Sequence, residues 1–186
     1  MKKYFAILSL TLFVFSCSDP EPRKPITSTS GTFFKESVER NKKILEKEES
    51  YIQKIIEKDS THTYYPSEEG FWFTYTDKRD DTDYTPKEND LVALIYDIQT
   101  LNGKTIYSKA VIDTTLYKVD KQENLFLGLR KAVKLLKKGE KATFFFPSSL
   151  AYGYIGDQKK IGVNTPLKST LQILEIQKSN DSITTN

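Results

Sequence analysis

The stretch GLRKAVKLLKKGEKATFFFPSSLAYG, residues 128–153, contains most of the information that decides the fold. Its first half predicts a brief helix over residues 129–138, because four apolar residues fall on one helical face: Leu129, Ala132, Val133 and Leu136. Gly139 can end that helix in the left-handed conformation. The run from Lys141 to Phe146 then predicts a strand.

The segments on either side of this stretch predict further strands. They are residues 71–75, 91–98, 116–119 and 170–176. Asn102-Gly103 is the strongest short hairpin signal, and residues 104–111 would form the returning strand. Strands outnumber the one short helix, and hairpins imply antiparallel pairing. The predicted fold class is therefore α+β, with a twisted antiparallel sheet wrapped around a short helix.

The order of these motifs resembles the FKBP-type peptidyl-prolyl isomerase family. Gly128 precedes the short helix, Lys138-Gly139-Glu140-Lys141-Ala142 follows it, and Pro147-Ser148-Ser149-Leu150-Ala151-Tyr152-Gly153 ends the aromatic strand. Residues 165–171 are similar to the segment that leads into the last strand of the family, so the resemblance covers about residues 70–177. It implies rotation about X-Pro amides, whose uncatalysed barrier is roughly 18–20 kcal/mol. It implies no cofactor and no metal.

The resemblance also implies which residues form the proline site. Tyr96, Phe126 and Tyr152 are the expected catalytic residues, and Tyr152 would donate its hydroxyl to the carbonyl of the bound peptide. The expected substrate-binding residues are Ile106, Tyr117, Leu125, Leu129 and Ile173. Leu116 is an alternative to Tyr117, and Leu174 is an alternative to Ile173 if the register slips.

Three positions depart from the family pattern. Leu129 replaces the tryptophan of the pocket floor, Tyr107 replaces an acidic residue, and Thr165 replaces an isoleucine near the pocket mouth. The loop between Tyr152 and Pro166 also looks a few residues longer. Two functions therefore stay open: an active isomerase, or a catalytically weak FKBP-fold module that binds or scaffolds partners in an envelope complex.

The beginning of the sequence predicts a lipoprotein signal in residues 1–16. Lys2 and Lys3 precede an apolar run, and Ser16 precedes Cys17, the only cysteine. The stretch Val14-Phe15-Ser16-Cys17 resembles a bacterial lipobox, so we expect a lipid on Cys17 and an envelope location, with the periplasmic side of the outer membrane favoured. An ordinary secretory signal with an incidental cysteine is the alternative. Residues 17–32 predict a flexible tether.

Residues 33–60 predict a charged amphipathic helix, with a thin apolar stripe that ends at Ile52, Ile55 and Ile56. We expect it to lie mostly exposed outside the core of an isomerase domain in residues 61–178; a homodimer through residues 33–60 is the other interpretation. Residues 179–186 predict a disordered tail. The lipobox, the helix and the C-terminal domain together resemble the gliding motility-associated peptidyl-prolyl isomerase lipoproteins of Bacteroidota.

Composition and isolated polar residues exclude several other functions. The formal net charge is +3, and 28% of the residues are charged with both signs interspersed, so no nucleic-acid partner is expected. His62 is the only histidine and is expected at the surface. Asp80, Asp81 and Asp83 lack the glycine and glutamate of a calcium loop. The expected partners are the membrane, through lipid, and proline-containing envelope polypeptides.

Overall fold

The computed structural model describes residues 30–179, with side chains from residue 33 onward. The predicted signal in residues 1–16, Cys17 and most of the predicted tether and tail lie outside these residues. The chain divides into two compact units, residues 1–36 and residues 37–186. The packing described below belongs to the second unit.

The described elements follow the α+β order that the sequence predicts. The helices are α1 Ser30–Lys58, α2 Lys109–Ile112 and α3 Leu127–Val133, and a 3-10 turn spans Ser148–Leu150. The strands are β1 Tyr65–Pro66, β2 Trp72–Asp77, β3 Leu91–Tyr96, β4 Ile98–Thr100, β5 Thr105–Tyr107, β6 Thr115–Lys118, β7 Lys141–Phe146 and β8 Leu167–Gln177. No helix within residues 30–179 is long and apolar enough to cross a membrane.

All described strands belong to one antiparallel sheet. Its main path runs β1-β2-β7-β8-β3-β6, and β4 pairs with both β5 and β8. The long strand β8 pairs with β7, β3 and β4, so it joins the two halves of the sheet. The predicted FKBP-like sheet around a short helix is confirmed.

The main core lies between one face of the sheet and α3. Leu129, Ala132 and Val133 of α3 are fully buried there, together with Leu94, Phe144 and Ile173 from three strands. We call this set of side chains the main cluster. The strands alternate inward and outward residues, so Phe144 and Phe146 belong to this cluster while Phe145 points to the opposite face.

Gly128 explains how closely α3 approaches the sheet. A Cβ atom at this position would lie 2.5 Å from Cδ1 of Phe146 and 2.9 Å from the carbonyl oxygen of Leu150. Both distances are shorter than the contacts that a Cβ atom makes in folded proteins. Only glycine therefore fits between the helix, β7 and the turn after β7. The glycine therefore sets the spacing between the helix and the loop that carries Tyr152.

The Lys-Gly-Glu motif has a structural role. Glu140 is 1% exposed, and its carboxylate accepts hydrogen bonds from the backbone N–H groups of Arg79 at 3.0 Å and Lys137 at 2.9 Å. These two donors come from the segment after β2 and from the turn after α3. The motif thus fixes the entry into β7, which in turn places the pocket loop at the far end of that strand.

The opposite face of the sheet carries a smaller cluster under α1. Its buried members are Ile52, Leu101 and Phe145, and Trp72 packs against them. Glu48 of α1 is only 8% exposed, and Tyr51 donates a hydrogen bond to Asn102 Oδ1 at 2.5 Å. We call the buried trio the α1 cluster. As expected, most of this helix is exposed and none of it belongs to the main cluster. The burial of Ile52 was not expected, and it arises because the thin stripe that includes Ile52 matches an apolar patch on the sheet.

Two other predicted elements differ in extent. The returning strand predicted for residues 104–111 stops at Tyr107, because Ser108 accepts hydrogen bonds from Val111 and Ile112 and starts the short helix α2. The helix predicted for residues 129–138 begins earlier and ends at Val133. Beyond it, Leu135 and Leu136 donate to carbonyls three residues back, which tightens the chain into turns before Gly139.

Candidate functional site

An open cavity of about 330 Å³ lies between the β3–β4 corner, α2 and the loop after β7. Its size falls in the range of small-molecule and peptide pockets. It is lined by apolar and aromatic side chains with a few polar groups: Tyr96, Ile98, Tyr107, Ile112, Tyr152, Asp157 and Lys159. We call it the proline pocket.

Two of the three predicted catalytic residues line this pocket. Tyr96 is the last residue of β3, and Tyr152 follows the 3-10 turn after β7. The third, Phe126, stands directly before α3, and its ring centroid lies 5.4 Å from that of Tyr152 and 5.3 Å from that of Phe146. Phe126 therefore supports the Tyr152 ring from the core side.

Both pocket tyrosines keep their protons at neutral pH. Burial raises the pKa of Tyr96, and burial together with the nearby Tyr96, Asp157 and Tyr107 raises the pKa of Tyr152 to about 12. Each hydroxyl is therefore a neutral hydrogen-bond donor over the whole physiological range. A neutral donor in such a cavity can orient a carbonyl oxygen without acting as a nucleophile.

Tyr107 and Asp157 form a polar contact across the pocket. The Tyr107 hydroxyl donates to Asp157 Oδ2 at 2.5 Å. Asp157 Oδ1 accepts the backbone N–H groups of Lys159, Lys160 and Ile161 at 2.7–2.9 Å. The departure noted at Tyr107 is thus accompanied by a carboxylate from the loop after β7, and we call this contact the loop lock.

The loop lock holds an ionised carboxylate at the pocket. Partial burial opposes the charge on Asp157, but the hydrogen bonds from Tyr107 and from three backbone N–H groups lower its pKa to about 2. The Lys160 ammonium lies 5.0 Å from the centre of the Tyr107 ring, where the aromatic face attracts a cation. Gly156, in the left-handed conformation, lets the loop pass close to the Ile161 carbonyl. These contacts close the loop on itself next to Tyr152.

The remaining predicted substrate-binding residues lie in or against the main cluster. Tyr117, Leu129 and Ile173 are fully buried, and Leu125 is 2% exposed. Ile106 is half-buried and packs against the same cluster. None of these five residues belongs to the lining of the proline pocket as the described residues define it. They lie behind the wall residues, and their contact with a ligand stays a prediction.

Sequence reasoning missed several wall residues. Ile98, Ile112, Asp157 and Lys159 were not among the candidates, and Tyr107 was noted only as a departure. The contact between Tyr107 and Asp157 spans 50 residues of sequence, and the loop has no periodicity. The sequence from Asp157 to Lys160 predicts a turn, but it does not indicate that Asp157 accepts a hydrogen bond from Tyr107.

The described residues contain no cluster of three or more side chains that could hold a metal ion. His62 is exposed, and its Nδ1 lies 2.8 Å from Asp59 Oδ2 at the end of α1. Asp59 also accepts hydrogen bonds from Thr61 and Tyr64, so His62 is part of a local polar turn after the helix. It lies outside the lining of the proline pocket.

Comparisons with known proteins identify the family and the fold. The sequence family described as "FKBP-type peptidyl-prolyl cis-trans isomerase" matches residues 82–174. The probable FKBP-type peptidyl-prolyl cis-trans isomerase FkpA of Neisseria meningitidis serogroup B is 29% identical over 133 residues, which are 70% of this chain and 46% of that protein. The chain therefore spans about half the length of the curated relative it matches.

Two crystal structures have the same fold. FkpA from Escherichia coli superposes with a TM-score of 0.59 and 20% identity, covering 96% of this chain and 82% of that one. A peptidyl-prolyl cis-trans isomerase from Pseudomonas syringae pv. tomato gives a TM-score of 0.58 and 20% identity, covering 74% of this chain and 96% of that one. At this identity the likeness concerns the fold alone.

Proposed function

The chain belongs to the FKBP-type peptidyl-prolyl cis-trans isomerase family, and on that premise we propose that it catalyses rotation about X-Pro amides of polypeptides in the proline pocket. The observation that carries this proposal is the pairing of Tyr96 and Tyr152 in one cavity that also has Ile98 and Ile112 in its wall. Rotation about an amide needs neither a nucleophile nor a metal. It needs a site that binds the twisted amide more tightly than the planar one.

The pocket residues are suited to this task. Ile98 and Ile112 offer apolar contacts for a proline ring and exclude water from the neighbouring carbonyl. Water bound to that oxygen favours the planar, charge-separated amide, so its removal lowers the barrier to rotation. Tyr152 would then donate its neutral hydroxyl to the carbonyl and fix the orientation of the bound peptide. Leu125, Leu129 and Ile173 would support the pocket from behind.

A protease-coupled assay on a short X-Pro peptide tests the proposal. Uncatalysed isomerisation takes tens to hundreds of seconds and limits the slow phase of peptide cleavage. Catalysis therefore appears as an increase in the rate constant of this phase that is proportional to enzyme concentration. We expect such a phase for the folded chain. Its absence in a folded sample would favour the other function, a module of the same fold that binds or scaffolds partners.

We also propose that the protein acts on envelope polypeptides while anchored by lipid on Cys17. The support is the order of basic residues, apolar run, Ser16 and Cys17 in the sequence. Incorporation of labelled palmitate into the full precursor, lost in Cys17→Ala, tests the anchor. The support for a role in gliding motility is the sequence resemblance, and the support for the periplasmic side of the outer membrane is Ser18 directly after Cys17.

A homodimer through residues 33–60 is a further proposal about partners. Phe34 is 72% exposed, and Val38, one turn later, is 50% exposed. Exposed apolar side chains at this spacing can pair with a second helix. Light scattering of the full chain and of Phe34→Lys measures the effect, and the mass of the variant should fall to that of a monomer.

A further inference from the structure

A second cavity, of about 420 Å³, lies between α1 and the loop after β7. α1 contributes Ile44 and Leu45 to its lining, and the loop contributes Ala151 and Ile155. Tyr152 belongs to the lining of this cavity and also to that of the proline pocket. The two linings therefore share the residue that is proposed to orient the amide. We call the second cavity the flank groove.

The flank groove carries almost no charge, although 28% of the residues in the chain are charged. Glu48 is the one ionisable acid in its lining, and both carboxylate oxygens are occupied by Ser148. One accepts the Ser148 backbone N–H at 2.8 Å and the other accepts the Ser148 hydroxyl at 2.7 Å. Asn41 and Asn164 add side-chain amides, which can hydrogen bond to a peptide backbone. An apolar groove with a few polar groups has the composition of a ligand site.

The loop beside the groove exposes large apolar side chains. Tyr154 is 77% exposed and Ile155 is 54% exposed, and both residues line the flank groove. Contiguous exposed apolar surface on a folded protein marks a site that binds another molecule. The shared residue Tyr152 indicates which molecule, because a chain whose proline fills the proline pocket continues beyond that proline on both sides of Tyr152.

We infer that the flank groove binds the apolar, extended segment of the same polypeptide that flanks the isomerised proline. This inference rests on the proposed isomerase function, because it takes the proline pocket as the place where the substrate is held. The protein would then hold a long apolar chain at two sites, the proline pocket and the flank groove. Short peptides would fill only the proline pocket.

Binding of two labelled peptides tests the inference on the full chain. One peptide has a central X-Pro pair with leucine and phenylalanine on both sides, and the other has serine at those flanking positions. Fluorescence anisotropy gives Kd for each, and we expect the apolar peptide to bind roughly tenfold more tightly, since about one further apolar side chain is buried. Ile155→Glu should remove most of this preference.

Val163→Glu is the matched control. Val163 is 61% exposed on the same loop and lies outside both linings, so this variant should keep the preference of the native chain. Equal Kd values for the two peptides, or a full preference in a folded Ile155→Glu variant, would overturn the inference. Isomerase activity on the short peptide is measured in a separate assay. Absence of that activity would refute the proposed function, whereas the anisotropy measurement alone decides whether the flank groove binds the apolar segment.

Discussion

The main cluster and the α1 cluster pack against opposite faces of one sheet, yet they depend on different parts of the chain. The main cluster is large, encloses α3 and includes Phe126 behind the proline pocket. The α1 cluster has three buried residues and needs a helix that precedes the sheet in sequence. The run Phe144-Phe145-Phe146 serves both, because alternate residues of a strand face opposite sides.

The two clusters have different roles: the main cluster supports the proline pocket, and the α1 cluster attaches the N-terminal helix to the sheet. The residues of the proline pocket are held by the main cluster and by the loop lock. The α1 cluster holds the helix, and Glu48 of the same helix contacts Ser148, four residues before Tyr152 in the pocket loop. Damage to the main cluster should therefore abolish activity, whereas damage to the α1 cluster should lower stability with a smaller effect on activity.

Phe126→Asp should have the largest effect. Phe126 is 9% exposed between Phe146 and Tyr152, so the change places an unpaired charge in the apolar wall behind the pocket. We expect a loss of about 3–5 kcal/mol in the free energy of unfolding and no measurable isomerase activity. Urea denaturation measures the free energy of unfolding, and the peptide assay measures the isomerase activity. Leu127→Asp is the control, since Leu127 is 39% exposed at the start of α3 and should tolerate an acid.

Ile52→Ala should cost stability on the other side of the sheet. Ile52 is fully buried against Leu101 and Phe145, and its truncation leaves a cavity in a small cluster. The expected loss is about 2–5 kcal/mol in the free energy of unfolding, with kcat/KM per folded molecule nearly unchanged. Val38→Ala, on an exposed part of the same helix, should cost far less. Loss of activity in a fully folded Ile52→Ala sample would show that the two clusters are not separable.

Glu48→Gln tests the link between the helix and the pocket loop. The amide can accept from the Ser148 N–H and donate to the Ser148 hydroxyl oxygen, but both buried hydrogen bonds lose the charge of the carboxylate and become weaker. We expect about 1–3 kcal/mol less stability, measured by denaturation, and a modest rise in KM on the short peptide. Glu46→Gln serves for comparison, because Glu46 is exposed and its only described ion pair, with Lys42, is long. Equal behaviour of the two variants would mean that Glu48 does not hold the loop.

Tyr107→Phe should have the smallest effect of the four. It removes the hydroxyl that donates to Asp157 and leaves the ring in the pocket wall. We expect a loss of about 1 kcal/mol in stability and a higher KM with little change in kcat, because a looser loop weakens binding more than chemistry. Tyr65→Phe removes an exposed hydroxyl remote from the pocket lining and should change neither constant. A fall in kcat alone would contradict a role in holding the loop.

Local sequence patterns were enough to predict β7 and the neighbourhood of α3, and the resemblance to the FKBP family supplied the two pocket tyrosines. Those features depend on periodicity and on motifs whose residues lie close together in the chain. The contact of Glu48 with Ser148 spans 100 residues, and that of Tyr107 with Asp157 spans 50. Neither contact has a periodic signal. The burial of Ile52 was missed for a related reason: an interrupted apolar stripe looks exposed until the matching patch of Leu101 and Phe145 is assembled by the sheet.

The most direct measurement is kcat/KM of the native chain and of Tyr152→Phe on the same short X-Pro peptide, with folding checked by thermal melting. The variant keeps the ring that packs on Phe126 and loses the hydroxyl that would meet the carbonyl. We predict a native rate clearly above background and a fall of roughly 2- to 12-fold in the variant, equivalent to about 0.5–1.5 kcal/mol. A well-folded native chain with no rate above background would contradict the isomerase function, and an unchanged rate in Tyr152→Phe would remove Tyr152 from the reaction.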